Sequence, residues 1–378
     1  MIGVDYYTDA RHSEIDPVLK AKNEAEEAPM RELGRWLIAY SDGYLRSQRR
    51  DAKLAIATLD GLFAWAAHDA LLGRVNRTGL YQLKWALAAY ALDYLKIRDE
   101  PALDPSEKQR VEIWFRRLAD QVVAYQTTNP TWPDHWNNHA YWAALAVATA
   151  GVAVDDRALF DWGIGKFDIF LNRVRPDGSL PDELARGKRA LHYHLFSVAP
   201  LVMLAELAEA NGVHLYRAGN RALERLATRC LVGLADPSAF GVAAGAAQVI
   251  PEKSDLAWIE PYYARSQESR ARTWLSQRPL SFGFLGGDLT LAFGVPVPDQ
   301  GGQAAQRSDS ASSTANCTSQ SSPSLSARCE LGSTSKRSRA RPSTVRISQA
   351  MMRMPFACSA LLTACSKPSA SRASTTKR

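Results

Sequence analysis

The sequence predicts an all-α domain over residues 1–294, followed by a tail of a different kind over residues 295–378. Three observations carry that expectation. Apolar residues recur at spacings of three and four through most of the body, the period of a helix with one buried face. Strand-like alternation is almost absent. Turn signals at Asp104-Pro105-Ser106, Asn129-Pro130, Pro176-Asp177-Gly178-Ser179 and Asn211-Gly212 cut the pattern into helix-length pieces. Many helices joined by short turns suit a bundle or an α/α toroid equally.

The elements follow in order. MRELGRWLIAYSDGYLR (30–46) sets Leu33, Trp36, Leu37, Tyr40 and Tyr44 on one stripe. Comparable patterns run through DAKLAIATLDGLFAWAAHDALL (51–72), LYQLKWALAAYALDYLKI (80–97), EKQRVEIWFRRLADQVVAYQ (107–126) and AYWAALAVATAGVAV (140–154). They continue in ALFDWGIGKFDIFLNRV (158–174), RALHYHLFSVAPLVMLAELAEA (189–210) and RALERLATRCLVGLA (221–235). WALAAYALDYL and AYWAALAVATA are apolar around much of their circumference, as helices packed on two sides must be. No fixed-period repeat marks a solenoid.

From about Val295 the texture turns to Ser, Thr, Arg, Ala and Pro. Such a segment buries too little apolar area to offset its ordering entropy, so a disordered tail is expected. Out-of-frame translation is the alternative, because all 13 Tyr and 10 Trp lie at or before Trp274. From Gly301 onward the tail holds 12 Lys/Arg against Asp309 and Glu330, a charge of +10, which leaves 7 − 10 = −3 for the rest. The basic balance therefore gives no reason to expect nucleic-acid binding by the body. Cys230 stands alone outside the tail and reads as a small buried hydrophobe. No run approaches the roughly 20 apolar residues of a membrane span, and MIGVDYYTDARHS has no apolar signal core.

Two stretches carry candidate chemistry. In WNNHAYW (136–142), Asn138 and His139 precede a helix start, where free N–H groups and the helix dipole favour an anion. Helix capping explains the same residues. In RALHYHLF (189–196), positions i, i+4 and i+7 place Arg189, Tyr193 and Phe196 on one face, with His192 close by and His194 pointing away. An Arg on an apolar helix needs an anionic partner: Asp182 or Glu183 within the fold, or a substrate carboxylate. Trp132, Trp136, Tyr141, Trp142, Tyr262 and Tyr263 offer flat faces that suit sugars, or a core.

NNHAYW (137–142), DGSLPDEL (177–184) and RALHYH (189–194), in this order, resemble the motifs of the mannuronate-preferring alginate lyases. DYYTDARHSEIDP, WIEPYY (258–263) and LGGDLTL (285–291) extend the similarity over about Asp5 to Leu291. The resemblance implies an α/α toroid and β-elimination on a polyuronate, with no cofactor or metal. The partner would be an anionic polysaccharide, with neither nucleic acid nor membrane, and the protein a periplasmic monomer. It implies that Asn138, His139 and Arg189 neutralise the uronate carboxylate, with His139 also a base for one C5 configuration. The family's catalytic tyrosine falls at Phe196, which lacks the titratable oxygen, and a basic position falls at Phe284. Substrate contacts are expected from Trp136, Asn137, Tyr141, Tyr193, His194 and Tyr262. Arg74, Tyr81 and Lys84 join them on residues 71–85, a stretch that reads equally as a mobile lid or as a plain interhelical turn. The rival expectation is a uronan-binding protein that has lost its chemistry. A glycosidase is disfavoured, because adjacent Asp182 and Glu183 diverge.

Overall fold

The computed structural model describes residues 3–128 and 132–297; the expectations for the tail lie outside them from residue 298 onward. The chain alternates inner and outer helices: α1 (Pro17–Arg46), α2 (Ala52–Ala67), α3 (Arg77–Ile97), α4 (Pro105–Thr127), α5 (Asn138–Ala153), α6 (Arg157–Gly165), α7 (Phe167–Arg173), α8 (Pro181–Leu184), α9 (Ala190–Ala210) and α10 (Ala218–Ala235). Short helices α11 (Ser238–Ala244), α12 (Ile259–Ser266), α13 (Ser269–Trp274) and α14 (Leu289–Phe293) complete the chain. The inner row runs α1, α3, α5, α9, each packing on the next, while α2, α4, α6 and α10 cover it from outside. This is an incomplete α/α toroid. Among the described residues the only strands are β1 (Ser281–Phe282) and β2 (Gly287–Asp288), a two-residue antiparallel hairpin.

Sequence explains the layering. On α1 the buried positions Asn23, Glu27, Met30, Leu33, Leu37, Ser41 and Tyr44 recur every three or four residues, leaving the opposite face wet. On α5 every residue from Ala140 to Ala153 is buried, and α9 is apolar all round, so both need neighbours on every side. The stretch Gly187–Ala210 is long and apolar enough to span a membrane, contrary to the reading of the sequence, but it is the enclosed centre of this fold. Cys230 is fully buried, as its apolar context predicts, and burial pushes its thiol pKa up.

Caps fix where the inner helices begin. Asp16 accepts from the Val18 and Leu19 N–H groups with Pro17 at the first helical position, and Asn76 accepts from Gly79 N–H to start α3. Asn137 accepts from His139 N–H to start α5. The C-terminal hairpin is held to the inner row by Lys96, whose ammonium donates to Asp42 at 2.6 Å, Asp93 at 2.8 Å and the carbonyl of Gly286. Gly287 sits at φ 93° with Ile38 and Asp42 within 3 Å of where a Cβ would stand, so only glycine allows this approach.

Candidate active site

The N-terminal turns of α3, α5 and α9 open on one cleft of about 330 Å³. These helices are 21, 16 and 21 residues long. The Gly79, Asn138, His139 and Leu191 N–H groups are taken by Asn76, Glu183, Asn137 and Gln248, so what the cleft receives from them is the positive end of each helix dipole. Arg77, Tyr81, Gln82 and Trp85 come from α3, Asn138 and His139 from α5. Arg189, His192, Tyr193 and Phe196 come from the start of α9. Residues 4–15 pass over the cleft and contribute Tyr6, Tyr7 and His12. That segment is tied down at Gly3–Asn76, Val4–Asn23 and by Tyr193, whose phenol donates to Tyr7 at 2.8 Å.

Glu183 organises the Asn138 corner. The turn at Asp177-Gly178-Ser179 needs Gly178 at φ 81°, where a Cβ would strike the Arg225 carbonyl. The chain then delivers Glu183 beneath α5. Its Oε1 accepts from Asn138 N at 2.9 Å and Asn138 Nδ2 at 3.0 Å, which orients the amide. Burial pushes the Glu183 carboxyl above its ordinary range, against the pull of Arg186 and Asn138.

His139 is held from two sides. Tyr81 stacks on its ring at 3.8 Å, while the Tyr81 phenol donates to Asp134 at 3.0 Å. Burial alone would raise Asp134, but the donors Tyr125, Arg77 and Tyr81 outweigh it and hold the carboxyl low. Behind the ring, Lys84 Nζ lies 3.1 Å from His139 Nδ1. Burial pulls the Lys84 ammonium down to about 7; burial first, and the neighbouring Lys84 second, hold His139 neutral far below the usual imidazole range. As an ammonium Nζ has no lone pair and can only donate to Nδ1. The His139 proton then sits on Nε2.

Arg189 lines the cleft without taking part in any ion pair among the described residues. The carboxylates that might have claimed it are engaged elsewhere: Asp182 with Arg173 through two guanidinium nitrogens, and Glu183 with Asn138 and Arg186. The guanidinium rests near the Tyr193 ring at 5.8 Å. Phe196 packs against Trp142 at 5.0 Å and Trp85 at 5.6 Å, and Phe284 stacks on Trp85 at 5.3 Å. The two positions expected to be phenolic and basic therefore form an apolar floor.

Of the residues singled out in the sequence, Asn138, His139, Arg189, Phe196, Tyr81 and Tyr193 meet on the cleft. Others do not. His194 is fully buried: its Nδ1–H donates to the Ala190 carbonyl at 2.8 Å, and its Nε2 accepts from Leu180 N–H at 3.0 Å. It ties the Gly178 turn to α9 and does not face the cleft. Tyr141 is buried against Phe170, and Tyr262 is buried beside Trp258. Asn137 caps α5, Trp136 lies in the turn before it, and exposed Arg74 stands outside the cleft lining. The 71–85 lid is also corrected, since residues from Arg77 onward form the first turns of α3 and Lys84 is buried behind His139. His192, Tyr7 and Gln82 line the cleft without having been given a role; only for His192, four residues before Phe196, did helical spacing give a signal.

Comparison with known proteins fits this arrangement. The sequence profile described as alginate lyase matches residues 3–240. A polysaccharide lyase of Stenotrophomonas maltophilia (strain K279a) is 40% identical over 293 residues, 76% of this chain and 86% of the relative. An alginate lyase of Pseudomonas fluorescens Pf-5 is 40% identical over 62% of this chain and 66% of its own length. Among solved structures, alginate lyase A1-III from Sphingomonas species A1 aligns with a TM-score of 0.67 at 24% identity. That alignment covers 78% of this chain and 84% of the other, a likeness of fold. Fold and relatives together define a toroidal polysaccharide lyase. The chain belongs to the alginate lyase family.

Proposed function

We propose that the chain cleaves mannuronate-rich alginate, or a related polyuronate, by β-elimination. One observation carries this reading: Arg189, with no ion-pair partner among the described residues, shares a cleft with Asn138 and the His139 edge at three converging helix N-termini. In the reaction the C5 proton leaves, a C4=C5 double bond forms and the C4–O4 bond breaks. The C5 proton is too weakly acidic while its neighbouring carboxylate keeps full charge. Donors set in advance on that carboxylate stabilise the enolate as it develops. Arg189 supplies charge, Asn138 an amide and His139 an Nε2–H.

The tautomer of His139 fits a donor rather than a base, which argues against its abstracting the C5 proton. Phe196 offers no oxygen to do so either. That is the observation favouring the rival reading, a uronan-binding protein without chemistry. A periplasmic location and a monomeric state belong to the proposal by family likeness, and fractionation and sedimentation test them.

The deciding experiment follows ultraviolet absorbance of unsaturated uronate ends from polymannuronate, polyguluronate and polyglucuronate. Catalysis predicts new ends from polymannuronate, and their loss in Arg189→Leu. Tight polymannuronate binding without product identifies the binder.

A further inference from the structure

We propose that His192, oriented by Asp255, is the base and then the acid of the elimination, in place of a phenol at position 196; this rests on the lyase reading above. His192 lines the cleft from the first turn of α9, and its side chain keeps 24% exposure. Its ring stacks on Phe196 with centroids 6.1 Å apart and planes 17° apart. It therefore stands beside the floor residue that lost its oxygen, on the same helix face, four residues earlier.

The partner on the far side of the ring decides what His192 can do. Nδ1 lies 3.2 Å from Asp255 Oδ2. Asp255 is buried at the 6% level, and the same oxygen accepts from Glu252 N–H at 3.0 Å, which fixes the carboxylate. An ionised carboxylate only accepts, so Nδ1 carries the proton. In neutral imidazole, Nε2 then holds a lone pair. Two of the three histidines on the cleft, His139 and His192, are thus set in opposite senses. Lys84 makes His139 a donor at Nε2, and Asp255 makes His192 an acceptor there. A proton-abstracting group and a carboxylate-neutralising group are the two parts that β-elimination requires.

The step balances with no further reactant. His192 Nε2 takes the C5 proton, and the C–H electron pair forms the C4=C5 double bond. The C4–O4 pair leaves with O4. The imidazolium, stabilised by Asp255, then returns its proton to O4, which regenerates neutral His192. One group serving both transfers suits abstraction and departure on one face of the sugar.

The test measures unsaturated-end formation for the whole chain and for His192→Ala, Asp255→Asn, Phe196→Tyr, and His192→Ala combined with Phe196→Tyr. Expected is a natural chain that turns over and a His192→Ala variant whose kcat falls by ~10²–10⁴-fold, with KM changed far less. Added imidazole, or the phenol of Phe196→Tyr in the same background, restores turnover, which a merely structural histidine would not allow. Asp255→Asn gives a smaller kcat loss with the thermal midpoint checked in parallel. The proposal is overturned if His192→Ala keeps kcat within about threefold of the natural chain. A loss of turnover in Tyr7→Phe or Tyr193→Phe would then assign the transfers to that phenol pair. It is equally overturned if the natural chain is silent while Phe196→Tyr is active, which leaves the lyase cleft reading standing. Silence of every variant on all three polymers removes the lyase reading and this one with it.

Discussion

Replacing Glu183 by alanine removes the acceptor shared by Asn138 N and Asn138 Nδ2, at 2.9 and 3.0 Å. Both donors are buried, and each left unpaired costs ~1–3 kcal/mol, so the pair costs ~2–6 kcal/mol. Losing an anion from the N-terminal turn of α5 adds ~0.3–1 kcal/mol. Against this, burial already holds the Glu183 pKa high, so the charged form is partly penalised and removing it returns part of the loss. The net expectation for Glu183→Ala is a destabilisation of ~2–4 kcal/mol. Glu183→Gln keeps an oxygen where Oε1 stands and should stay within ~1 kcal/mol of the natural chain. Urea unfolding with unchanged m-values measures both. Activity sharpens the distinction, because the freed Asn138 amide in Glu183→Ala no longer faces the cleft, whereas Glu183→Gln still directs it. If glutamine proves as harmful as alanine, the negative charge beside Arg186 matters and the shared acceptor does not, so the orienting role fails.

Three further outcomes follow from the same contacts. Lys96→Met strands Asp42 and Asp93 as buried carboxylates and should cost ~3–5 kcal/mol by urea titration, with most of it recovered when both become Asn. Burial lowers the His194 pKa from 6.5 to about 4, against the pull of the Ala190 carbonyl; protonation at Nε2 would also end its acceptance from Leu180 N–H. Below pH 6.5 the unfolded chain then binds a proton that the native state refuses, so stability falls as pH drops towards 4. The slope is ~1.4 kcal/mol per pH unit for this residue, and His194→Gln should flatten it by that amount in urea titrations at several pH values. Lys84→Met removes the donor to His139 Nδ1, frees the ring to take the other tautomer, and should lower kcat by about 10–100-fold with little change in unfolding midpoint.

The helices were legible because a buried face must repeat every 3.6 residues, and the inner ones because they are apolar all round. The cleft was partly legible. Asn138 and His139 sit just before a readable helix start, and Arg189 is an uncompensated charge at the head of an apolar run. Whether Arg189 was already paired depended on Arg173 reaching Asp182 and on Glu183 turning to Asn138, contacts between segments that spacing does not bring together. His194 was misplaced for a related reason. Helical geometry turns it off the Arg189 face, yet only the fold shows the Leu180 N–H waiting on the other side. Lys84 belongs to a helix and not to a lid because Asn76 caps α3, a role that an Asn in a polar stretch does not distinguish from an ordinary turn. Tyr141 and Tyr262 show that an aromatic suited to stacking on sugar has the same sequence signature as one in a core. His192 was on the right face, but its partner Asp255 lies 63 residues further on.

The electrostatics of the cleft do not follow from net charge. The chain outside its tail is mildly acidic, and Asp5, Glu24, Glu27 and Glu252 line the cleft itself. Under the proposed reading, what favours a uronate carboxylate there is fixed and local: the positive dipole ends of α3, α5 and α9, an Arg189 with no ion pair among the described residues, and a His139 proton held on the cleft edge by Lys84 behind it. Fixed dipoles need no reorganisation as charge moves from carboxylate to enolate, and a floor of Trp85, Phe196 and Phe284, backed by buried Trp142, lowers the local dielectric around them. The same apolar floor that removed the phenol therefore strengthens every donor left in the cleft. It also raises the demand on whichever base is present, since an imidazole beside such a floor becomes a cation only with a carboxylate at its back. Asp255 occupies that position behind His192.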